Sequence, residues 1–391
     1  MKKAPPVWII WIAGAFCFWS LPLFSQYQYS HRCIEATRAI FELRFGDADS
    51  LLRLETGIHS QNLVPVYLRN RIQCISLFIS EDPALYDQYK TESRKLLRRL
   101  EKGGRDSPYH RFFLGHYYLE WAFVRLKFRE YTRAAMDVRK ARILFNENEK
   151  LYPDFVLNSM GTGLVRMVLG LVPEPYDWIP ELVGMKGSLD QGWTDITRVS
   201  GYPGVDPVVR AFQPEASFYR IFISLNVRND AQPFSPPSLL QSGIQDSGFH
   251  SPLMIFAQAS VLAKQGKNAA ALDALNQRHR LKGRFPFHYL DYLEGVARLN
   301  SLDYSARDNF RLYLRNYRGH NYLSSARQRL AWIAFLEGDS TGYLTLVKFV
   351  SARSGQTDED GQAQHQGRKT ADPNLYLLSS RMLYEGGYYH R

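Results

Sequence analysis

Three short turns set at one interval constrain this chain more than any other feature of its sequence. Gly266-Lys267-Asn268, Asp303-Tyr304 and Gly338-Asp339-Ser340 each separate two apolar-patterned segments, and Asn268, Tyr304 and Ser340 follow one another at steps of 36 residues. An interval of this size holds two helices and a turn. It denotes a stacked array of helix hairpins, in which each unit buries its apolar face against its neighbours. The predicted fold class is therefore all-α, a solenoid of stacked hairpins, an architecture that presents surface for binding more readily than it builds a reaction centre.

The turn recurs outside the regular stretch as Gly46-Asp47-Ala48, Arg129-Glu130-Tyr131 and Gly386-Gly387-Tyr388. Around the middle copy, Tyr118, Trp121 and Ala122 lie on a first helix, Tyr131 closes the turn, and Ala134, Val138 and Ala141 follow on a second helix. That spacing lines small side chains along one stripe, where a partner helix sits close and aromatic rings fill the gaps. Position by position, the set resembles the tetratricopeptide-repeat (TPR) family. The resemblance continues in Ala259, Gly266 and Ala271, in Gly295 and Tyr304, and in Leu330, Ala331 and Gly338. Arg307 and Tyr343 stand where the pattern has alanine, which predicts looser or differently angled contacts in those hairpins. Residues 373–391 read as the first helix of an incomplete or capping repeat; its uncovered apolar side favours a longer natural chain.

A chain of 391 residues exceeds one ordinary compact domain, a limit that repeat arrays escape. Its 24 tyrosines and 23 phenylalanines read as packing plugs between helices, and no cofactor is expected. Residues 1–25 read as an export signal. Lys2 and Lys3 precede the uncharged apolar run Val7 to Phe24, and Ser25 offers a small residue for cleavage before Gln26. Retention of the run as a membrane anchor is the competing reading. Phe16 before Cys17 makes a poor lipid-attachment site. Cleavage lowers the formal charge from +11 to +9 and leaves a basic protein suited to anionic lipids, polyanionic glycans or acidic proteins. Lys95, Arg98, Arg99, Lys102 and Arg105 read as a solvated face, and no nucleic-acid partner is expected. Cys33 and Cys74 then form either a disulfide or two separately buried thiols, and the sequence leaves both open.

The array divides into N-terminal repeats at 26–153, an irregular Gly/Pro-rich segment at 154–249, C-terminal repeats at 250–353 and a flexible linker at 354–372. The linker assignment rests on composition, because Ser354 to Asp372 holds no apolar residue larger than alanine. In the irregular segment a helix is expected at Phe212 to Val227. There too Gly161-Thr162-Gly163-Leu164, Leu171-Val172-Pro173, Trp178, Val183-Gly184, Lys186-Gly187-Ser188 and Gly192 resemble the central stretch of the inclusion-body-clearance family of TPR-like proteins. Similar chains occur among exported TPR proteins of Bacteroidetes-type bacteria. What the resemblance implies is architecture: Gly161, Gly163, Pro173, Trp178, Gly184, Gly187 and Gly192 are expected to shape a structural bend.

No reaction set stands out. The chain has no HExxH, phosphate loop, GxSxG or paired CxxC, and His110 and His116, six residues apart, do not share a helix face as a metal pair would. Glu174 and Asp177, with Glu181 beside Trp178, could serve glycan hydrolysis, but carboxylates at that spacing equally stabilise a helix start. The expected function is thus a non-enzymatic exported scaffold of the periplasm or cell envelope of a Gram-negative bacterium. A protein or peptide would bind in its concave face, with peripheral association with the envelope membrane and no metal or nucleic acid. A glycan-acting hydrolase and a membrane-anchored assembly factor are the alternatives.

Overall fold

The computed structural model of the protein describes residues 26–170, 181, 183–184, 187–227, 251–350, 355, 357–367 and 373–390. These form seventeen α-helices and one 3-10 turn, with no strand among the described residues. Four hairpins come first: α1 (His31–Phe41) with α2 (Phe45–Ile58), α3 (Val64–Ser80) with α4 (Pro83–Glu101), α5 (Pro108–Lys127) with α6 (Tyr131–Leu151), and α7 (Leu157–Gly170) with α8 (Leu189–Ser200). A long single helix follows, α9 (Pro207–Val227). Three further hairpins are α10 (Pro252–Lys264) with α11 (Asn268–Asn276), α12 (Tyr289–Asn300) with α13 (Ala306–Asn316), and α14 (Leu323–Leu336) with α15 (Ser340–Val350). Two helices close the described chain, α16 (Asp358–Gly367) and α17 (Leu375–Glu385).

The helix starts are written locally. Ser30, Asp82, Ser107, Ser188, Ser251 and Asn374 each accept a backbone N–H of the first turn, and proline occupies an opening position of α3, α4, α5 and α10. The turns share one device, a residue in the left-handed region just after the first helix. It is Leu43, Glu81, Arg129, Gly266, Leu302 and Gly338 in six hairpins, and Gly387 after α17. Gly266, Leu302 and Gly338 carry the 36-residue interval; Asn268 and Ser340 open second helices, Tyr304 lies just before α13, and the reversal lies two residues before each. The turn expected at Gly46-Asp47-Ala48 is likewise displaced. Leu43 makes it, and Gly46 already belongs to α2, because the fully buried Leu43 side chain anchors the reversal in the core.

Trp121, Ala122, Ala134, Ala141, Ala259, Ala271 and Ala331 are buried, Gly295 lies against the Phe310 ring, and Tyr118, Tyr131 and Tyr304 are half-buried. The two departures are accommodated by their own chemistry: Arg307 pairs with Glu337, and Tyr343 is buried with its ring 5.3 Å from that of Phe335.

The irregular segment contains a further hairpin, α7 with α8. Gly163 and Gly192 bring α7 and α8 into backbone contact, since a Cβ on either would stand 2.8 Å from the other's carbonyl oxygen. Gly161 seats the Phe145 ring, Gly187 lies on the backbone of Gly170, and Gly184 has a φ of +74°. Pro173 and Trp178 lie outside the described residues.

The linker expected at 354–372 is corrected by α16. Asp360, fully buried, accepts the backbone N–H groups of Tyr322 and Ser325 (2.9 Å to the latter), and Ala363 is buried beside it. One carboxylate at the start of α14 thus docks a segment that has almost no apolar surface to bury.

The disulfide expectation is also settled against pairing: Cys33 and Cys74 are free, each buried in its own helix. Burial pushes the Cys33 thiol up to about 11 and that of Cys74 well above its ordinary value.

The two sets of hairpins are joined by more than chain order. α9 turns back onto α1 and α7, and α10 follows it. The Ser251 hydroxyl donates to the Phe41 carbonyl (2.7 Å), the Phe285 N–H to the Leu43 carbonyl (2.8 Å), and the Asn321 amide to both carboxylate oxygens of Glu81 (2.9 and 2.8 Å).

Candidate functional site

The polar centre of the molecule lies where α9 crosses the first helices of the N-terminal hairpins. Tyr67, Asn70, Arg71 and Cys74 occupy one stripe of α3 at i, i+3, i+4 and i+7, so the apolar pattern itself carries a guanidinium into the core. Arg71 is 1% exposed. Its Nε donates to Glu120 of α5 at 2.8 Å and a terminal nitrogen donates to Glu215 of α9 at 2.5 Å. The Tyr219 hydroxyl also donates to Glu215, at 2.7 Å. Asn70 donates to Glu120 at 3.2 Å and accepts the indole N–H of Trp121 at 2.9 Å. The Phe212 ring of α9 lies 5.3 Å from the Arg71 guanidinium carbon and 6.2 Å from the Phe112 ring.

Two carboxylates share one buried cation here, and desolvation sets the electrostatics. Burial pushes the Glu120 carboxyl up to about 7 against the pull of Arg71, so this site holds a proton close to neutrality. Burial and the neighbouring Arg71 hold His116 well below its ordinary value, and its Nδ1 meets the Tyr67 hydroxyl at 2.8 Å. His110 is likewise lowered by burial and meets the Tyr27 hydroxyl at 2.8 Å. The two histidines therefore sit in separate hydrogen bonds. Among the described residues no three His, Cys, Asp or Glu side chains gather as a metal site would need.

Arg71, Glu215 and Tyr67 are closed to solvent, so the cluster acts as a clamp between α3, α5 and α9. It was missed in the sequence because its members lie 49 and 144 residues apart. The available signal was a pair of polar residues, Asn70 and Arg71, on a stripe otherwise made of Tyr67 and Cys74.

With α9 in place, the first-helix face of the N-terminal hairpins is occupied by the chain itself: Phe212 meets Tyr29 and Phe112, and Phe218 meets Phe41. On the C-terminal hairpins, α17 lies against α12 and α14, burying Leu378 and Met382, with Arg381 5.5 Å from the Trp332 ring. Its opposite face carries Tyr376 (79% exposed), Leu377 (72%) and Tyr384 (70%), and the Tyr389 ring packs 5.5 Å from Tyr384.

Ser25, Glu174 and Asp177 lie outside the described residues. Gln26, where the described chain starts, accepts the Leu63 N–H at its carbonyl (2.7 Å) and the Gly104 N–H at its amide oxygen (2.8 Å). Among the described residues no helix is long and apolar enough to cross a membrane. Comparison with protein-family models, with curated proteins and with solved structures finds no match to this chain.

Proposed function

We propose that the protein is a non-enzymatic, TPR-like scaffold that holds another protein in the envelope of a Gram-negative bacterium. The observation that carries the reading is α17, a helix apolar on both faces. One face is buried against α12 and α14, while Tyr376, Leu377 and Tyr384 remain in solvent. Apolar side chains on the exposed side of a helix that already buries its other side are unusual, and exposed tyrosines beside aliphatic side chains are the composition of protein-binding patches. Because α9 takes up the N-terminal first-helix face, the docking surface is placed over α17, on the C-terminal hairpins. The occupant is an amphipathic helix or extended peptide of another protein. The export-type leader and the resemblance to exported TPR proteins support the compartment.

The test is cross-linked capture from the native envelope fraction, comparing the wild-type chain with a Tyr376→Ser/Leu377→Ser variant of unchanged melting temperature. A protein retained by the first and lost from the second supports the reading. Equal retention by both, or none by either, overturns it.

A further inference from the structure

Two helices of this chain lie on the first helices of its hairpins, α9 on α1 and α7 and α17 on α12 and α14, and they are held differently. α9 buries Phe212, Ala216 and Ile221, and its Glu215 accepts Arg71 of α3 at 2.5 Å in the core. α17 has no such tie. Its only charged side chains, Arg381 and Glu385, pair with each other at 2.7 Å, so no ion pair joins the helix to the hairpins beneath it. Of its eleven residues Leu378 and Met382 alone are buried.

Those two side chains define the seat. One turn apart, they join the apolar cluster that Tyr292 and Leu299 of α12 form with Trp332 and Ile333 of α14. Arg381 lays its guanidinium carbon 5.5 Å from the Trp332 ring, and with the helix in place Trp332 is 7% exposed. The C-terminal end rests on backbone. Gly387, with a φ of +78°, lies so close to Gly266 that a Cβ on it would overlap the Gly266 carbonyl, and the Asn268 amide donates to the Tyr388 hydroxyl at 3.2 Å. In α17 two buried side chains must offset the ordering of eleven residues, whereas the departure of α9 would also take Glu215 from a guanidinium that stays in the core. Release is therefore confined to α17.

We propose that the surface of α12 and α14 beneath α17 is a seat for a helix, that α17 fills it as an exchangeable occupant within the chain, and that a helix of another protein displaces it. The set seated here defines the displacing helix: two long apolar side chains four residues apart, with an arginine just before the second. An extended segment carrying the same residues would set the apolar pair ~13 Å apart in place of the ~6 Å of a helical turn, so the occupant is helical. The seat stays closed until a competitor arrives, which makes α17 an autoinhibitory contact. The inference concerns the surface under α17 and not the Tyr376 and Leu377 patch upon it, so it goes beyond the scaffold reading and stands without it.

The probe is a fluorescent peptide of residues 373–390, added to the full chain and followed by anisotropy. α17 is unseated in two ways, by Leu378→Asp/Met382→Asp and by Gly387→Val, which leaves the α12–α14 surface untouched. Both variants should bind the peptide about tenfold or more tightly than the wild type, in which the tethered α17 competes at high effective concentration. A peptide carrying Leu378→Asp should bind neither. Equal binding by wild type and variants, or no binding by variants that keep wild-type hydrogen-exchange protection in α12 and α14, overturns the proposal. A wild-type dimer that the peptide dissociates would make the occupant the α17 of a second copy and overturns it as well. The wild type gives a readout without any substitution: amides of residues 378–385 should exchange about tenfold or more faster than those of residues 215–223 in α9, and equal protection overturns the proposal. Partner capture by the Tyr376→Ser/Leu377→Ser variant has no bearing on these readouts, so the two readings fail separately.

Discussion

Arg71 shows what one residue decides in this molecule. A buried guanidinium between two carboxylates fixes where α9 lies, because leaving any member unpaired in the core costs several kcal/mol. Glu120 gives this a pH signature. Its folded value of about 7 stands above the ordinary 4.5, so its contribution to stability is fully present below about pH 4.5 and is lost as pH rises through 7. Glu120→Gln, which keeps a neutral side chain in place, removes that slope. Denaturant titrations across this range should show the wild type losing on the order of 3 kcal/mol relative to the variant. His116 and Arg71 remain beside position 120 in both proteins, the histidine 3.9 Å from the Glu120 carboxylate; it is lowered by burial and by Arg71 and titrates in the opposite sense. The cysteines give a second prediction at this scale. Without reductant, Cys33 and Cys74 should stay silent toward a thiol reagent in the folded protein and both react once it is denatured.

At the scale of the element, α16 is the instructive case. Counting apolar residues predicts a mobile linker there, and composition is a sound guide when apolar burial is the only source of order. Asp360 supplies another source, satisfying N–H groups at the start of α14 that no residue of α14 can reach. Asp360→Ala should destabilise the protein by about 1–3 kcal/mol, because it strands two backbone donors. Hydrogen exchange should show residues 357–367 losing protection first; unchanged exchange there would mean that Ala363 and α15 hold the helix without the carboxylate. The left-handed turn residues teach the complementary lesson. Gly266 and Gly338 are visible as turn-formers in any sequence, whereas Leu43, Glu81, Arg129 and Leu302 adopt the same conformation because their surroundings impose it.

For the whole molecule the decisive element is α9. It covers the first-helix face of the N-terminal hairpins and brings Phe212 against Tyr29, Phe112 and Arg71. Phe212→Ala should cost about 3–5 kcal/mol. Because the cavity opens under α9, the variant should also bind a hydrophobic dye that the wild type does not, measured by fluorescence in native buffer.

By itself the sequence determined the all-helical class, the hairpins of the regular stretch and their interval. Caps, opening prolines, small-residue stripes and apolar periodicity act over a single hairpin and can be read along the chain. Only the tertiary structure decided what those hairpins enclose. The Arg71 clamp, the seat of Asp360 and the bond between Asn321 and Glu81 join residues 35 to 240 positions apart. Such contacts are set by which surfaces remain uncovered after local folding, and no local periodicity records them.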